Sequence, residues 1–291
     1  AERASPVGLI QALGVTPMIF VILDKSYLDG TSKAEVDELA KTARFVISAA
    51  LFHEMLTTRP ESRVRCFSKL PQTDNPVALV ERAGNMASLE MTTSSPAGLP
   101  SANLVEINGA FRFNKKLLDL DYTLPPESSS AVEEKRLDVE ESIDSLVELS
   151  ETVPGIFPDL TVGSTEQRKD ALRRAEIWIS DPNNVANFLS SLVSPEPSRP
   201  FPNATESPEK WASIALLQAR LLFVTHLYFR YQGKLADVMT PKVRLLLEHD
   251  VHDAEILALG ILEGALATKE HKLRRWFRLL RPSGLLFPSD A

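Results

Sequence analysis

The sequence predicts an α/β protein: a central parallel sheet flanked by helices, carrying a mostly helical insertion. Three observations predict it. Short runs of β-forming apolar residues alternate with helical segments near the N-terminus. A long central stretch reads as helix alone, and strand–helix alternation resumes close to the C-terminus. On this pattern residues 1–113 and 241–291 form the α/β core, and residues 114–240 form the insertion.

The elements follow in order. MIFVIL (18–23) is too short for a helix and rich in β-formers, so it reads as a buried parallel strand. TSKAEVDELAKTA (31–43) is helical, with Ser32 as N-cap and Glu35 three residues on completing a capping box. RFVIS (44–48) is a second strand, and AALFHEMLTT (49–58) a helix that Arg59-Pro60 ends. TTSSPAGLPSAN (92–103) is a loop by composition. In LVEINGAFRF (104–113), Asn108-Gly109 between two short alternating runs signals a hairpin.

The chain changes character after LPP (124–126). AVEEKRLDVEESIDSLVELSE (131–151) holds eight acidic and two basic residues, with Val139, Ile143, Leu146 and Val147 on one stripe. That is an amphipathic helix with an acidic outer face. TEQRKDALRRAEIWI (165–179) and NNVANFLSSLV (183–193) are further helices, and SPEPSRPFPNATESP (194–208) is a Pro-rich linker. PEKWASIALLQARLLFVTHLYFRYQ (208–232) is a long apolar helix. HDVHDAEILALGILEG (249–264) reads as a helix, ALAT (265–268) as a short strand, EHKLRRWFRLL (270–280) as a basic helix and GLLF (284–287) as a closing strand.

Composition bounds the functions. The chain has 291 residues, 44% apolar and 24% charged, and no stretch approaches the roughly 18 consecutive apolar residues of a membrane span. No membrane association is expected. The first residues show neither a basic start followed by an apolar run nor a cleavage site, so no signal peptide is expected. A single cysteine, Cys66, excludes an internal disulfide and a thiolate metal site, which fits a reduced, cytoplasmic protein. Nothing near Cys66 in sequence offers a base, so it reads as structural. A net charge of −7 argues against wholesale coating of nucleic acid but leaves room for a local basic groove. There is no dinucleotide fingerprint, P-loop or nucleophile elbow. A homo-oligomer is compatible with the chain.

Four acids stand where an α/β sheet places function, at strand ends or in the helix that follows. Asp24 ends the first strand, Glu54 lies in the helix after the second, Asp253 opens a late helix, and Glu270 follows ALAT. Singly, each reads as a helix cap, which the helix dipole favours. Gathered, they need a cation to offset their repulsion. Carboxylate oxygen selects Mg²⁺ or Mn²⁺, which can activate water against phosphorus.

These segments resemble the PIN-like nucleases. The strand ending in Asp-x-Ser is VILDKSYL, with Asp24 as metal ligand and Ser26 as its hydroxyl neighbour. FVISAALFHEML supplies Glu54, HDAEILALGIL supplies Asp253, and LATKE supplies Thr268 with Glu270 where the family has Asp. The resemblance covers roughly residues 17–58 and 248–287, with some two hundred residues between Glu54 and Asp253. It implies a PIN-like fold and a metal-dependent endoribonuclease. Asp24, Glu54, Asp253 and Glu270 would hold Mg²⁺ or Mn²⁺, with Ser26 and Thr268 supporting. RNA, single-stranded or structured, is the implied partner. The alternative is a catalytically weakened PIN-like module that binds RNA or protein. A phosphatase-type hydrolase is disfavoured, because Ser26 stands where an Asp-x-Asp pair would need its second acid.

The basic run KEHKLRRWFRLLR (269–281) has two readings. Lys272, Arg274, Arg275 and Arg278 would bind backbone phosphates beside the acids. Trp276 and Phe277 are more simply core than base-stacking platforms. Arg168, Lys169, Arg173 and Arg174 make a weaker basic face expected to pair with the acidic helix 131–151. His249 and His252, three apart, read as a hydrogen-bonding or solvated pair rather than metal ligands.

Overall fold

The computed structural model describes residues 18–105, 114–126, 129–192 and 206–289. Five parallel strands form one sheet: β1 (Ile19–Leu23), β2 (Ala43–Ser48), β3 (Val77–Val80), β4 (Ala265–Ala267) and β5 (Leu285–Phe287), in spatial order β3-β2-β1-β4-β5. β1 pairs with β2 on one side and with β4 on the other, so the strand order reverses at the β1–β4 junction. In a parallel sheet that junction opens a crevice at the strands' C-terminal ends. Asp24 and Thr268 leave their strands into it.

Helices surround the sheet. α1 (Lys25–Gly30), α2 (Lys33–Ala40), α3 (Ala49–Thr57), α4 (Pro60–Lys69) and α5 (Ala83–Thr93) belong to the N-terminal part. The predicted capping box is present: Glu35 donates its backbone N–H to Ser32, and the Ser32 N–H donates to the Glu35 carboxylate at 2.8 Å. Pro60, which ends α3, also starts α4 at its first turn, where a missing N–H costs nothing. β3, α1, α4 and α5 are additions to the sequence reading. VALV is only four residues long, although Asp74-Asn75-Pro76 directly before it is a turn signal that frames it.

The central helices are α6 (Ser129–Ile156), α7 (Thr165–Ser180), α8 (Pro182–Leu192) and α9 (Ala212–Tyr231), followed by α10 (Pro241–Glu263) and α11 (His271–Leu280). α9 packs against α10, α5, α6 and α7. By length and composition α9 meets the test for a membrane span, which corrects the expectation that no stretch does. Two-thirds of its apolar window (67%) is buried inside the protein, as befits the central helix of a core. The stripe of α6 is buried at Val139, Ile143 and Leu146. Trp276 and Phe277 are fully buried, as the core reading requires.

Two glycines matter to the site. Gly264, at φ +80°, ends α10 and turns the chain straight into β4. Gly260 lets α10 lie close on the sheet, where an added Cβ would meet Leu266 at 3.3 Å.

Three further expectations are corrected or fall elsewhere. Leu104 makes one antiparallel bridge to Val80, and the rest of the predicted hairpin, 106–113, lies outside the described residues. So does most of the Pro-rich linker. The basic face of α7 does not pair with the acidic helix: Lys169 meets Glu166, Arg173 meets Asp170 and Arg174 meets Asp159. The acids of α6 are met instead by Arg82, Arg136 and Arg244.

Buried carboxylates pin the helices together. Glu90 of α5, fully buried, accepts the Ala212 and Ser213 N–H groups of α9 at 2.6 and 2.8 Å and the Ala97 N–H at 3.1 Å. Glu255 of α10 accepts the Ala83 N–H of α5 at 2.6 Å, and burial raises its pKa. Each places a negative group on the positive end of another helix. Glu176 of α7 joins α9 and α11, receiving His226 at 2.6 Å, the Trp276 indole N–H at 3.2 Å and the Arg275 guanidinium.

Candidate active site

Beyond the C-terminal ends of β1 and β4 lies a polar cavity of about 450 Å³. Asp24, Glu54, Asp253 and Glu270 all line it, together with Ser26. They come from four separate elements: the β1–α1 junction, α3, α10 and the β4–α11 junction. Asp24 and Glu270 occupy the N-cap positions of α1 and α11, but neither side chain makes the capping hydrogen bond. Glu54 lies well inside α3. Asp253 does not open a helix, which corrects the sequence reading. Its helix starts twelve residues earlier, where Thr240 caps it and Pro241 occupies the first turn.

Longer α10 changes what the site contains. Leu246, His249, Asp250, Asp253 and Ile256 recur at helical spacing on one face and all face the cavity. Asp29 and Asp250 add two acids that the sequence reading missed. The predicted helix 249–264 already puts Asp250 three residues from Asp253 on one face; the true start at Thr240-Pro241 adds Leu246 to that face.

Asp24 is the most buried acid here, 5% exposed. One of its oxygens, Oδ2, accepts the Thr268 hydroxyl at 2.6 Å and the Ser26 hydroxyl in a shorter bond. Ser26 in turn contacts Thr268 at 3.1 Å and accepts the Lys269 N–H at 3.0 Å. The supporting roles expected of Ser26 and Thr268 thus become a hydroxyl clamp on one oxygen. Burial raises the pKa of Asp24, the two hydroxyls pull it back, and the Glu54 charge adds to the rise.

Lysines offset the other acids. Lys25 meets Glu54 at 2.9 Å; Lys272 meets Asp250 at 2.7 Å and Asp253 at 3.1 Å. Lys272 also lies 4.2 Å from the Phe223 ring centroid, over its face. Burial pushes Asp253 up to about 7, with Lys272 opposing and the Asp24 charge adding. His252, also buried, has its pKa lowered by burial despite the nearby Glu54 charge. Cys66 sits apart in the core, where burial, with Asp29 nearby, pushes its thiol up to about 12. That suits an inert cysteine.

The predicted phosphate-binding cations divide. Lys272 lines the cavity but holds acids. Arg274 donates to the Thr268 and Pro288 carbonyls at 3.1 and 2.9 Å, tying the ends of β4 and β5. Arg275 is bound to Glu176, and Arg278 is exposed away from the cavity lining.

The donors are carboxylate and hydroxyl oxygens, a set that suits a hard divalent cation. Among the described residues, however, no three ligating side chains are grouped to hold a metal. Glu54 is turned to Lys25, and Asp253 to Lys272. A cation would therefore have to displace lysine contacts.

The raised Asp253 gives a signed prediction. Its native carboxyl keeps a proton that the unfolded chain, at 3.8, releases. Its contribution to stability is therefore complete below about pH 4 and lost as pH rises through about 7, by a few kcal/mol at most. Glu176, burial notwithstanding, is held down at about 2 by His226 and Arg275, so its opposing contribution changes only below its ordinary 4.5. Urea midpoints measured from about pH 5 to 8 should fall in the wild type, and Asp253→Asn should flatten that slope. Parallel slopes for the two proteins would refute the assignment.

Comparison with protein-family models, curated proteins and solved structures finds no match to this chain.

Proposed function

We propose that this chain is a PIN-like ribonuclease that uses a divalent metal ion to cleave RNA phosphodiester bonds. The observation that supports this best is the gathering of Asp24, Glu54, Asp253 and Glu270 from four elements at the sheet's crevice. Asp24, Glu54 and Asp253 would hold Mg²⁺ or Mn²⁺, with Glu270 at the exposed edge; the metal's chemistry is to lower the pKa of water and neutralise charge at phosphorus. The Ser26–Thr268 clamp fixes one oxygen of Asp24. Lys25 and Lys272, displaced from their acids, would turn their charge toward the phosphate. An RNA gel assay with Mn²⁺ tests the reading: cleavage by the wild type and none by Asp24→Asn supports it, and equal cleavage by both removes it.

One observation favours a second reading. The lysine pairs already compensate Glu54, Asp250 and Asp253, as they would in a PIN-like module that binds RNA without cutting it. Mn²⁺ titration calorimetry separates the two. Binding heat that Asp24→Asn abolishes belongs to the nuclease; absence of heat belongs to the binding module.

A further inference from the structure

We infer that Arg230, at the end of α9, grips a backbone phosphate of a single-stranded RNA that enters the cavity over the α9–α10 rim. The substrate class rests on the RNA reading above, but the grip does not depend on cleavage. An anionic strand must approach a cavity lined by Asp24, Asp29, Glu54, Asp250, Asp253 and Glu270. Without an uncommitted cation at the rim, approach is electrostatically opposed.

Among the described residues, the lysines and arginines near the cavity are already engaged, with one exception. Lys25 and Lys272 are paired with acids inside the cavity. Arg274 is spent on two backbone carbonyls and Arg275 on Glu176. Arg65 is held by Asp29 at 2.8 Å. Arg230 lines the same cavity, is exposed, and makes no ion pair or side-chain hydrogen bond among the described residues. Its guanidinium lies 6.0 Å from the centroid of the adjacent Tyr231 ring, which leaves its hydrogen-bonding fork free.

The position is also fixed. α9 is buried along most of its length, Gln232 closes it in the left-handed conformation, and Gly233 packs on the Tyr228 ring. Across the rim, α10 presents His249 and Leu246, both exposed and on the face that carries Asp253. A planar guanidinium, an imidazole and a leucine together suit a phosphate and an adjoining ribose or base. The supply of free cations is small, so few phosphates can be neutralised. That favours a single strand over a duplex, whose recognition spreads over many phosphates.

Binding of a short fluorescein-labelled oligouridylate, measured in chelator so that no cleavage occurs, tests the inference. Arg230→Ala should weaken binding on the order of tenfold and make the log–log salt dependence shallower by about 0.7, the share of one phosphate on a single strand. Arg230→Lys should fall between, since it keeps the charge and loses the fork. Arg278→Ala, exposed on α11 but outside the cavity, should bind as the wild type does. A duplex of the same length should bind more weakly. Wild-type affinity in Arg230→Ala, an equal loss in Arg278→Ala, a stronger-binding duplex or no wild-type binding would each overturn the proposal. Arg230-dependent binding without cleavage in Mn²⁺ would keep the grip and remove the nuclease reading. Cleavage unaffected by Arg230→Ala would do the reverse.

Discussion

Asp24→Asn is expected to reduce Mn²⁺-dependent RNA cleavage by on the order of a thousandfold while leaving the fold at least as stable as the wild type. Both effects have the same origin. The Asp24 carboxylate is almost fully buried, and burial opposes its ionisation. Among the described residues no cation contacts it directly; its partners are the Ser26 and Thr268 hydroxyls, both on Oδ2, and the Ser26 backbone N–H. An asparagine oxygen can accept the same two hydrogen bonds, so the substitution removes charge with little change of shape. The folded protein is relieved of a buried charge, and the cavity loses the ligand best placed to attract a cation. Thermal unfolding and the gel assay, run on the same preparation, check both halves. A fall of several degrees in Tm together with lost activity would mean that Asp24 is structural.

Glu90→Ala is expected to be the most damaging substitution outside the cavity, costing about 3–5 kcal/mol of stability. Glu90 is fully buried and accepts three backbone N–H groups, two of them at the start of α9. Truncation strands those donors inside the protein and removes the negative group from the positive end of a twenty-residue helix. Glu90→Gln should cost less, because its oxygen still serves part of the set, although its amide NH₂ must face a donor. Denaturant unfolding measures the difference. A loss below about 1 kcal/mol in Glu90→Ala would show that water or backbone movement replaces the carboxylate.

Much of this arrangement was legible in local sequence. MIFVIL, RFVIS and ALAT became parallel strands because apolar β-formers in short runs have few alternatives once both sheet faces are covered. The Ser32–Glu35 box formed as its spacing requires. Trp276 and Phe277 went to the core, since an amphipathic helix buries its apolar side whatever its charges do. Local signals failed where the answer depended on a partner. VALV needed β2 beside it to become β3, and α10 began eight residues earlier than the predicted helix 249–264.

The basic residues show the same division at the site. Sequence marks Lys272, Arg274, Arg275 and Arg278 as a positive run, but charge in a helix does not say what it faces. Arg274 found carbonyls, Arg275 found Glu176, and Lys272 found two aspartates. Arg230, which has no ion pair among the described residues, lies in the helix that sequence reads only as long and apolar.

Sequence by itself determined most of the elements and which four acids follow or flank the strands, because periodicity, caps and turn residues act over a few neighbouring positions. Tertiary structure alone decided that those acids share one cavity, that lysines hold three of its carboxylates, and that Arg230 stands at its rim. Those outcomes arise from contacts between residues far apart in the chain, such as Asp24 and Thr268, whose energies have no counterpart in local spacing.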